Sequence, residues 1–223
     1  WLPVLAPSLI REPAHRSIPK EAEDWDIERI ITKYADAAER MQAGGMDGIE
    51  LQSYGHLFDA WWSPGTNRRS DEWGGTFENR LRFPWRVLET VRERVGADFI
   101  VGLRMFIEET VPGGFDTEVG MDILRRLEAS GLIDFVNVAK GSIHNDVELT
   151  DLIPIHGMPA APMLDFAGMV RAATNLPVLH AAKIDEVATA RHAIREGKLD
   201  LVGMTRAQIA DPHLVNKIIE GRE

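Results

Sequence analysis

Short apolar runs alternate along this chain with longer segments whose apolar residues recur on one face of a helix. Residues 98–105 are apolar almost throughout, which is typical of a strand buried on both faces. Residues 26–43 repeat apolar side chains every three or four positions, which predicts an amphipathic helix. Alternation of the two patterns predicts a parallel sheet with helical crossovers. The predicted strands are 47–51, 98–105, 134–139, 177–181 and 199–204, and the predicted helices are 26–43, 83–95, 117–130, 165–174, 185–196 and 212–220.

The order of these elements favours a (β/α)8 TIM barrel over a doubly wound nucleotide-binding sheet. A sheet of that kind carries Gly-x-Gly-x-x-Gly directly after an early strand, and this chain has no such sequence. Residues 1–23 add at most one short extended segment, residues 2–5. Five predicted strands fall short of eight, and 223 residues fall short of the roughly 250 of a whole barrel. We therefore expect an α/β chain that forms part of a TIM barrel.

The composition argues against several classes of protein. A formal net charge of -10 makes a general affinity for nucleic acid or anionic membranes unfavourable. No run of 18 apolar residues predicts a membrane span, and the first residues lack a signal-peptide pattern. The absence of cysteine excludes disulfides and iron–sulfur ligands within the chain and favours a cytoplasmic setting. No metal site is expected, because no metal-ligand spacing relates His15, His144, His156, His180, His192 and His213.

The longest predicted loop contains the segment 63–80, which reads SPGTNRRSDEWGGTFENR. Loops of this length in a compact domain are usually functional. Its charged residues can pair with one another, and Gly74 and Gly75 allow a turn with positive φ. Most of the nearby residues Trp61, Trp62 and Trp73 are expected to pack in the core. A plain charged surface loop is the alternative.

The spacing N-R-R-x-D-x-x-G-G-x-x-E-N-R in this segment resembles the FMN-dependent Old Yellow Enzyme-like oxidoreductases. It is most similar to the branch of trimethylamine dehydrogenase, 2,4-dienoyl-CoA reductase and the demethylases of N-methylated amino acids. The resemblance covers essentially the whole chain and aligns it with the fourth to eighth βα units of the barrel. It implies that residues 1–223 form an FMN-binding barrel domain that lacks the first three units. In the multidomain branch, a cluster-binding segment and nucleotide-binding domains would follow Glu223.

One arginine lies inside the apolar run that predicts the second strand. A buried guanidinium needs an anionic or strongly polar partner, since an unpaired buried charge is costly. In the family, the matching arginine contacts the pyrimidine edge of FMN, so the resemblance implies this role for Arg104. An internal ion pair with Glu50 is the alternative.

The last two predicted strands end in LHAAKI and VGMTRAQIADP. Barrel phosphate sites commonly lie after strands seven and eight, beside a helix N-terminus. The resemblance implies that Lys183 and Arg206 attract the FMN phosphate while Ala182 and Thr205 offer backbone N–H groups. The family usually has glycine where Ala182 and Thr205 stand. A basic helix start without a ligand is the alternative.

Three polar residues follow or end the first predicted strand. Many family members carry a His-x-x-His or His-x-x-Asn pair and a tyrosine there. This chain has Gln52 at the first position, Tyr54 at the second and His56 at the tyrosine position. The resemblance implies a flavin contact for Gln52 and catalytic roles for Tyr54 and His56. Histidine titrates near neutral pH, and an aromatic face attracts cations such as methylated amines.

The resemblance implies an FMN-dependent oxidoreductase that takes hydride from an N-methylated amine or amino acid, with oxidative demethylation. An FMN-dependent ene-reductase acting on an activated C=C with NAD(P)H is the first alternative. A truncated barrel without activity of its own and a phosphate-binding barrel enzyme without flavin are the others. The expected partners are a small-molecule substrate, NAD(P)H or another electron carrier, and further copies of the chain in a homo-oligomer.

Overall fold

The computed structural model describes residues 3–11 and 16–222, so His15 and residue 2 of the predicted segment 2–5 lie outside it. Within the described residues the chain forms seven strands and nine helices. The strands are β1 (Leu5–Ala6), β2 (Lys20–Glu21), β3 (Gly48–Ser53), β4 (Ile100–Glu109), β5 (Phe135–Gly141), β6 (Val178–His180) and β7 (Leu201–Val202). The helices are α1 (Asp24–Ala43), α2 (Leu57–Trp62), α3 (Phe77–Val95), α4 (Thr117–Ser130), α5 (Asp146–Leu152), α6 (Leu164–Arg171), α7 (Val187–Arg195), α8 (Thr205–Ala210) and α9 (Leu214–Glu220).

The main sheet is parallel and runs β3-β4-β5-β6-β7, so every strand pairs with the next one along the chain. Helices connect successive strands, as parallel pairing requires. This order is that of a barrel wall, and it confirms the five strands predicted from the sequence. β1 and β2 form a separate parallel pair.

The register of the sheet brings polar side chains from three strands into one row. Gln52 of β3 pairs with Arg104 of β4, and Arg104 pairs with Asn137 of β5. Laterally paired residues point to the same face of a sheet, and successive residues alternate. The adjacent row holds Leu51 and Leu103, which are buried in the core. The polar row therefore lies on the face opposite that core.

The core beside this sheet is dense in aromatic rings. Trp61 stacks on Phe83 with ring centroids 4.5 Å apart, and Phe58 meets Trp62 edge-on at 5.7 Å. Trp61, Trp62 and Trp73 are all buried, which confirms that they pack in the core. Among the described residues, no helix is both long and apolar enough to cross a bilayer.

Helix α3 begins six residues before the sequence prediction, which placed its start at residue 83. Thr76 caps it by accepting a hydrogen bond from the backbone N–H of Asn79 at 3.2 Å. Pro84 therefore lies inside the helix and not in its first turn, so that prediction was wrong. Proline has no N–H to donate, but Pro84 is buried at this position.

The segment 63–80 is held in one shape by its own polar groups. Asn67 is buried and donates to the backbone carbonyls of Trp61 and Trp73 at 2.6 and 2.9 Å. Arg69 donates to the carbonyl of Ala22 at 2.8 Å and pairs with the carboxylate of Asp71. These bonds confirm that the charged residues shape the loop.

The two glycines of this segment have different roles. Gly75 has a φ of 78°, which a residue with a side chain rarely adopts. A Cβ on Gly74 would lie 2.7 Å from the backbone oxygen of Arg69, so the close approach of two backbone segments requires glycine there. Gly75 thus supplies the predicted positive φ.

Candidate active site

Arg104 lies on the polar face of the sheet, stacked against Tyr54. Its guanidinium carbon is 4.3 Å from the centroid of the Tyr54 ring. Its Nε is buried and has no hydrogen-bond partner in the described part of the chain. Among the described residues no ion pair involves Arg104, and the Glu50 carboxylate accepts instead from Asn137 at 2.9 Å. The Arg104–Glu50 pair weighed from the sequence is therefore absent from the described part of the chain.

Asn137 lies beside Arg104 in the register and also has an unsatisfied buried atom, its side-chain oxygen Oδ1. An unpaired donor and an unpaired acceptor thus lie on adjacent strands. Buried polar groups are nearly always satisfied, so unsatisfied ones call for a partner. The pyrimidine edge of a flavin carries both an N–H donor and carbonyl acceptors. The residues present therefore fit a flavin at this face.

His180 at the end of β6 is a buried neighbour of this row. Its Nδ1 lies 2.8 Å from the carbonyl oxygen of Val138, which accepts the hydrogen bond. Burial lowers the pKa of His180, and the charge of Arg104 lowers it further. The ring is therefore neutral near pH 7. This confirms the expectation that His180 packs and bonds to the backbone.

The segments expected to hold phosphate follow β6 and β7. Ala182 and Lys183 have φ of 72° and 61°, a left-handed conformation that favours glycine. Ala182 thus keeps the backbone shape of a glycine while carrying a methyl group. Thr205 begins the short helix α8. The backbone geometry is compatible with a close approach to a ligand.

The two cations of these segments contact one connecting loop. The Arg206 guanidinium donates to the carbonyl of Pro154 at 2.9 Å, and Lys183 Nζ donates to the carbonyl of Met158. Both contacts are to neutral oxygens. The positive charges are thus held in place without being neutralised by these partners. Their contact with a phosphate stays a prediction.

Tyr54 and His56 lie together after β3, with ring centroids 6.1 Å apart. Tyr54 is partly buried, and Phe106 meets its ring edge-on at 5.6 Å. His56 is exposed and precedes helix α2, and its backbone N–H donates to Asp59 at 2.9 Å. One face of Tyr54 is taken by Arg104, so an amine would have to meet the other. Gln52 is exposed one strand away from Arg104.

A cavity of about 350 Å³ opens beside His56. Residues 4–11 cover it, and the segments after β3, β4 and β5 form its floor. Most of its lining is apolar, but two carboxyl groups that the sequence prediction missed lie on its wall. Burial raises the pKa of Asp59 to about 6 and that of Glu109 to about 8, and the Asp59 charge adds to the Glu109 effect. We name Asp59 and Glu109 the acid pair.

The sequence carried a weak signal for the acid pair. Asp59 interrupts the aromatic run LFDAWW, and Glu109 ends the apolar strand β4. An acid among large buried side chains is unusual and calls for a function. Chain order does not show that the two acids line one cavity. In contrast, Gln52, Arg104 and Asn137 come together because the register pairs them across neighbouring strands, although Asn137 was not predicted from the sequence.

Comparison with known proteins settles the family. Residues 4–223 match the model of the NADH:flavin oxidoreductase / NADH oxidase family. The chain belongs to this family. It is 59% identical over 223 residues to a probable N-methylproline demethylase of Rhizobium meliloti (strain 1021), covering 100% of this chain and 33% of that protein. It is 46% identical over 224 residues to a multifunctional alkene reductase/demethylase of Caballeronia cordobensis, again covering 100% and 33%.

A solved structure of a 2-naphthoyl-CoA reductase in complex with 2-naphthoyl-CoA superimposes with a TM-score of 0.89 at 30% identity. The match covers 99% of this chain and 33% of that one. The family and this likeness confirm the fold as part of an Old Yellow Enzyme-like TIM barrel, with its last five βα units present. The chain spans about a third of the length of the curated relatives it matches.

Proposed function

We propose that this chain is part of an FMN-dependent oxidoreductase that demethylates N-methylated amines or amino acids by oxidation. The flavin part rests on Arg104, a guanidinium whose buried Nε lacks a partner on the inner face of a barrel wall. The demethylase part is supported by the printed names of the relatives at 59% and 46% identity. Residues 1–223 would form the FMN-binding domain without its first three βα units.

Several side chains of this face would hold the cofactor. When bound, FMN supplies the hydride acceptor. Arg104 would bond its pyrimidine edge and stabilise negative charge there, and Gln52 would contact the same edge from the neighbouring strand. Lys183 and Arg206 would attract the phosphate, and the backbone N–H groups of Ala182 and Thr205 would bond it. The left-handed backbone at Ala182 supports this arrangement.

Tyr54 and His56 would act on the substrate. The Tyr54 ring, on the side away from Arg104, would orient the methylated nitrogen through a cation–π contact. Loss of hydride from the N-methyl carbon leaves an iminium, which water hydrolyses to formaldehyde and the demethylated amine. His56 would accept a proton in that hydrolysis, since its exposed imidazole ring can act as a general base. An electron acceptor would then reoxidise the reduced flavin and complete the cycle, whereas NAD(P)H, as a hydride donor, would serve the ene-reductase reaction.

An ene-reductase is the second candidate, and the name of the relative at 46% identity, which includes alkene reduction, favours it. In that reaction hydride goes to an activated C=C, and His56 gives the proton to the neighbouring carbon. A barrel piece that is inactive alone remains the third candidate, because β3 and β7 are the outer strands of the main sheet. Open sheet edges associate readily, which also supports a homo-oligomer. We further propose that the protein acts in the cytoplasm.

The test is formaldehyde release by the flavin-loaded protein mixed with N-methylproline and an electron acceptor. Release above the level with proline supports demethylation; enone reduction without any release would favour the ene-reductase. Protein that takes up no FMN would support the third candidate, a barrel piece that is inactive alone.

Arg104→Ala should weaken FMN binding at least tenfold, because a charge-assisted bond contributes about 1.5–3 kcal/mol. Arg195→Ala, an exposed arginine of α7, is the matched control, and equal flavin affinity in the two variants would refute the role of Arg104.

A further inference from the structure

The cavity beside His56 is large enough for a small organic molecule. Its volume of about 350 Å³ lies within the range of roughly 300–1,000 Å³ that ligand sites occupy. Its apolar wall includes Leu5, Ile10, Phe106 and Ile143. Such a wall accepts alkyl groups and excludes water.

The acid pair places two carboxyl groups on the wall of this apolar cavity. The backbone N–H groups of Gly55 and His56 donate to Asp59 at 2.6 and 2.9 Å. The Ser63 hydroxyl donates to Glu109 Oε2 at 2.5 Å. The backbone N–H of Phe115 also donates to the Glu109 carboxyl group. Glu109, like Asp59, is thus held in a fixed position on the cavity wall.

The charges around the cavity determine what it can bind. The charged or titratable side chains on its wall are Arg11 of the covering segment, His56 before α2, Asp59 of α2, Glu109 of β4 and His144 after β5. Arg11 is exposed and reaches its bonding partner, the carbonyl of Arg16, at 3.2 Å. Without a ligand, burial and the charge of Asp59 keep a proton on Glu109 at neutral pH. A positively charged ligand would offset both the burial of an ionised Glu109 and its repulsion by the charge of Asp59.

We propose that this cavity binds a small alkylated ammonium ion, with Glu109 and Asp59 as its counter-ions and the apolar wall around its alkyl groups. This inference rests on the proposed demethylation, for which it names the group that recognises the amine. Binding ionises Glu109, and its proton passes to the solvent. A neutral molecule of the same shape gains no such attraction and releases no proton.

Choline and 3,3-dimethylbutan-1-ol form a suitable probe pair, since they have the same shape and differ in a charged nitrogen against a neutral carbon. Calorimetric titrations of the flavin-loaded protein at pH 7, in two buffers of different ionisation enthalpy, give affinity and proton release together. We expect choline to bind at least tenfold more tightly and to release up to one proton. Equal affinities, or choline binding without proton release, would overturn the proposal.

Substitutions of Glu109 test whether choline binds beside this residue. Glu109→Gln keeps an acceptor for the Ser63 hydroxyl but removes the charge, so choline affinity should fall about tenfold or more and proton release should disappear. Glu109→Asp should retain part of the affinity. Glu93→Gln, an exposed glutamate of α3, should match the unchanged protein. If Glu109→Gln binds choline as the unchanged protein does, the acid pair is not the counter-ion.

The demethylation assay separates this inference from the proposed function. Choline binding that depends on Glu109, without formaldehyde release from any methylated amine, would leave the cation site standing and reject the demethylase. Formaldehyde release whose KM for the amine is the same in Glu109→Gln as in the unchanged protein would keep the demethylase and reject the cation site.

Discussion

The raised pKa of Glu109 makes the stability of the fold depend on pH in a way that one substitution should remove. Folding moves this pKa from its ordinary value of 4.5 to about 8. Between those values the folded state binds a proton that the unfolded state has lost, so the free energy of unfolding falls as pH rises. Below pH 4.5 both states are protonated, and above pH 8 both are ionised, so the loss is complete near pH 9.

The size of the effect follows from the shift. A pKa difference of about 3.5 corresponds to about 5 kcal/mol at 1.36 kcal/mol per pKa unit. Glu109 is only partly buried, so solvent at its exposed side screens part of its charge and we expect roughly 2–4 kcal/mol. Glu109→Gln has no charge to bury and still accepts from Ser63. The variant should therefore match the unchanged protein within about 1 kcal/mol at pH 5 and exceed it by roughly 2–4 kcal/mol at pH 9.

Urea unfolding followed by tryptophan fluorescence at pH 5, 7 and 9 measures this difference. Asp59, with a pKa raised to about 6, contributes the same pH trend to both proteins and cancels in the comparison. Glu93→Gln controls for the loss of one negative charge from an exposed position. Parallel pH profiles for Glu109→Gln and the unchanged protein would refute the reasoning, because Glu109 would then ionise at its ordinary pKa.

Two further substitutions test the loop 63–80. Asn67→Ala should lower the free energy of unfolding by about 2–4 kcal/mol, since it leaves the buried carbonyls of Trp61 and Trp73 without the donors from Asn67. The midpoint of urea unfolding measures this loss, and an unchanged midpoint at equal slope would contradict it. Gly74→Ala should lower the free energy of unfolding by about 1–3 kcal/mol, since the new methyl group would lie 2.7 Å from the backbone oxygen of Arg69. Faster proteolytic cleavage within residues 63–80 is the readout for Gly74→Ala, and cleavage at the unchanged rate would argue against a tight approach.

The main sheet could be predicted from the sequence because each of its strands is preceded or followed by a long periodic segment. Residues 98–105 illustrate this, as their near-continuous apolar run lies within β4 apart from its first two positions. The helices α2, α5 and α8 were missed since they span only six, seven and six residues, too few for a helical period to show. β1 and β2 have two residues each and are strands only through their pairing.

Arg104 was predictable because a single charge inside an apolar strand is conspicuous in the sequence alone. The acid pair was not, since its properties arise from tertiary packing. Glu109 receives a hydrogen bond from Ser63, 46 positions earlier in the chain, and residues between 4 and 11 line part of the cavity. The lack of a partner for Arg104 Nε also depends on tertiary structure, because the Glu50 carboxylate accepts from Asn137 and not from Arg104.

The loop that carries the family resemblance and the acid pair of the cavity are physically joined at Ser63. This residue is buried at the start of the segment 63–80, where its hydroxyl donates to Glu109 and accepts from the N–H of Gly65 at 3.2 Å. Asn67, whose N–H donates to the carbonyl of Ser63 at 2.9 Å, fixes that turn from the other side. The hydrogen bond from Ser63 opposes the rise in the Glu109 pKa, so it favours the ionised form that a cation would require. The segment that carries the family resemblance thus also lowers the pKa of a cavity carboxyl group, against the larger effect of burial.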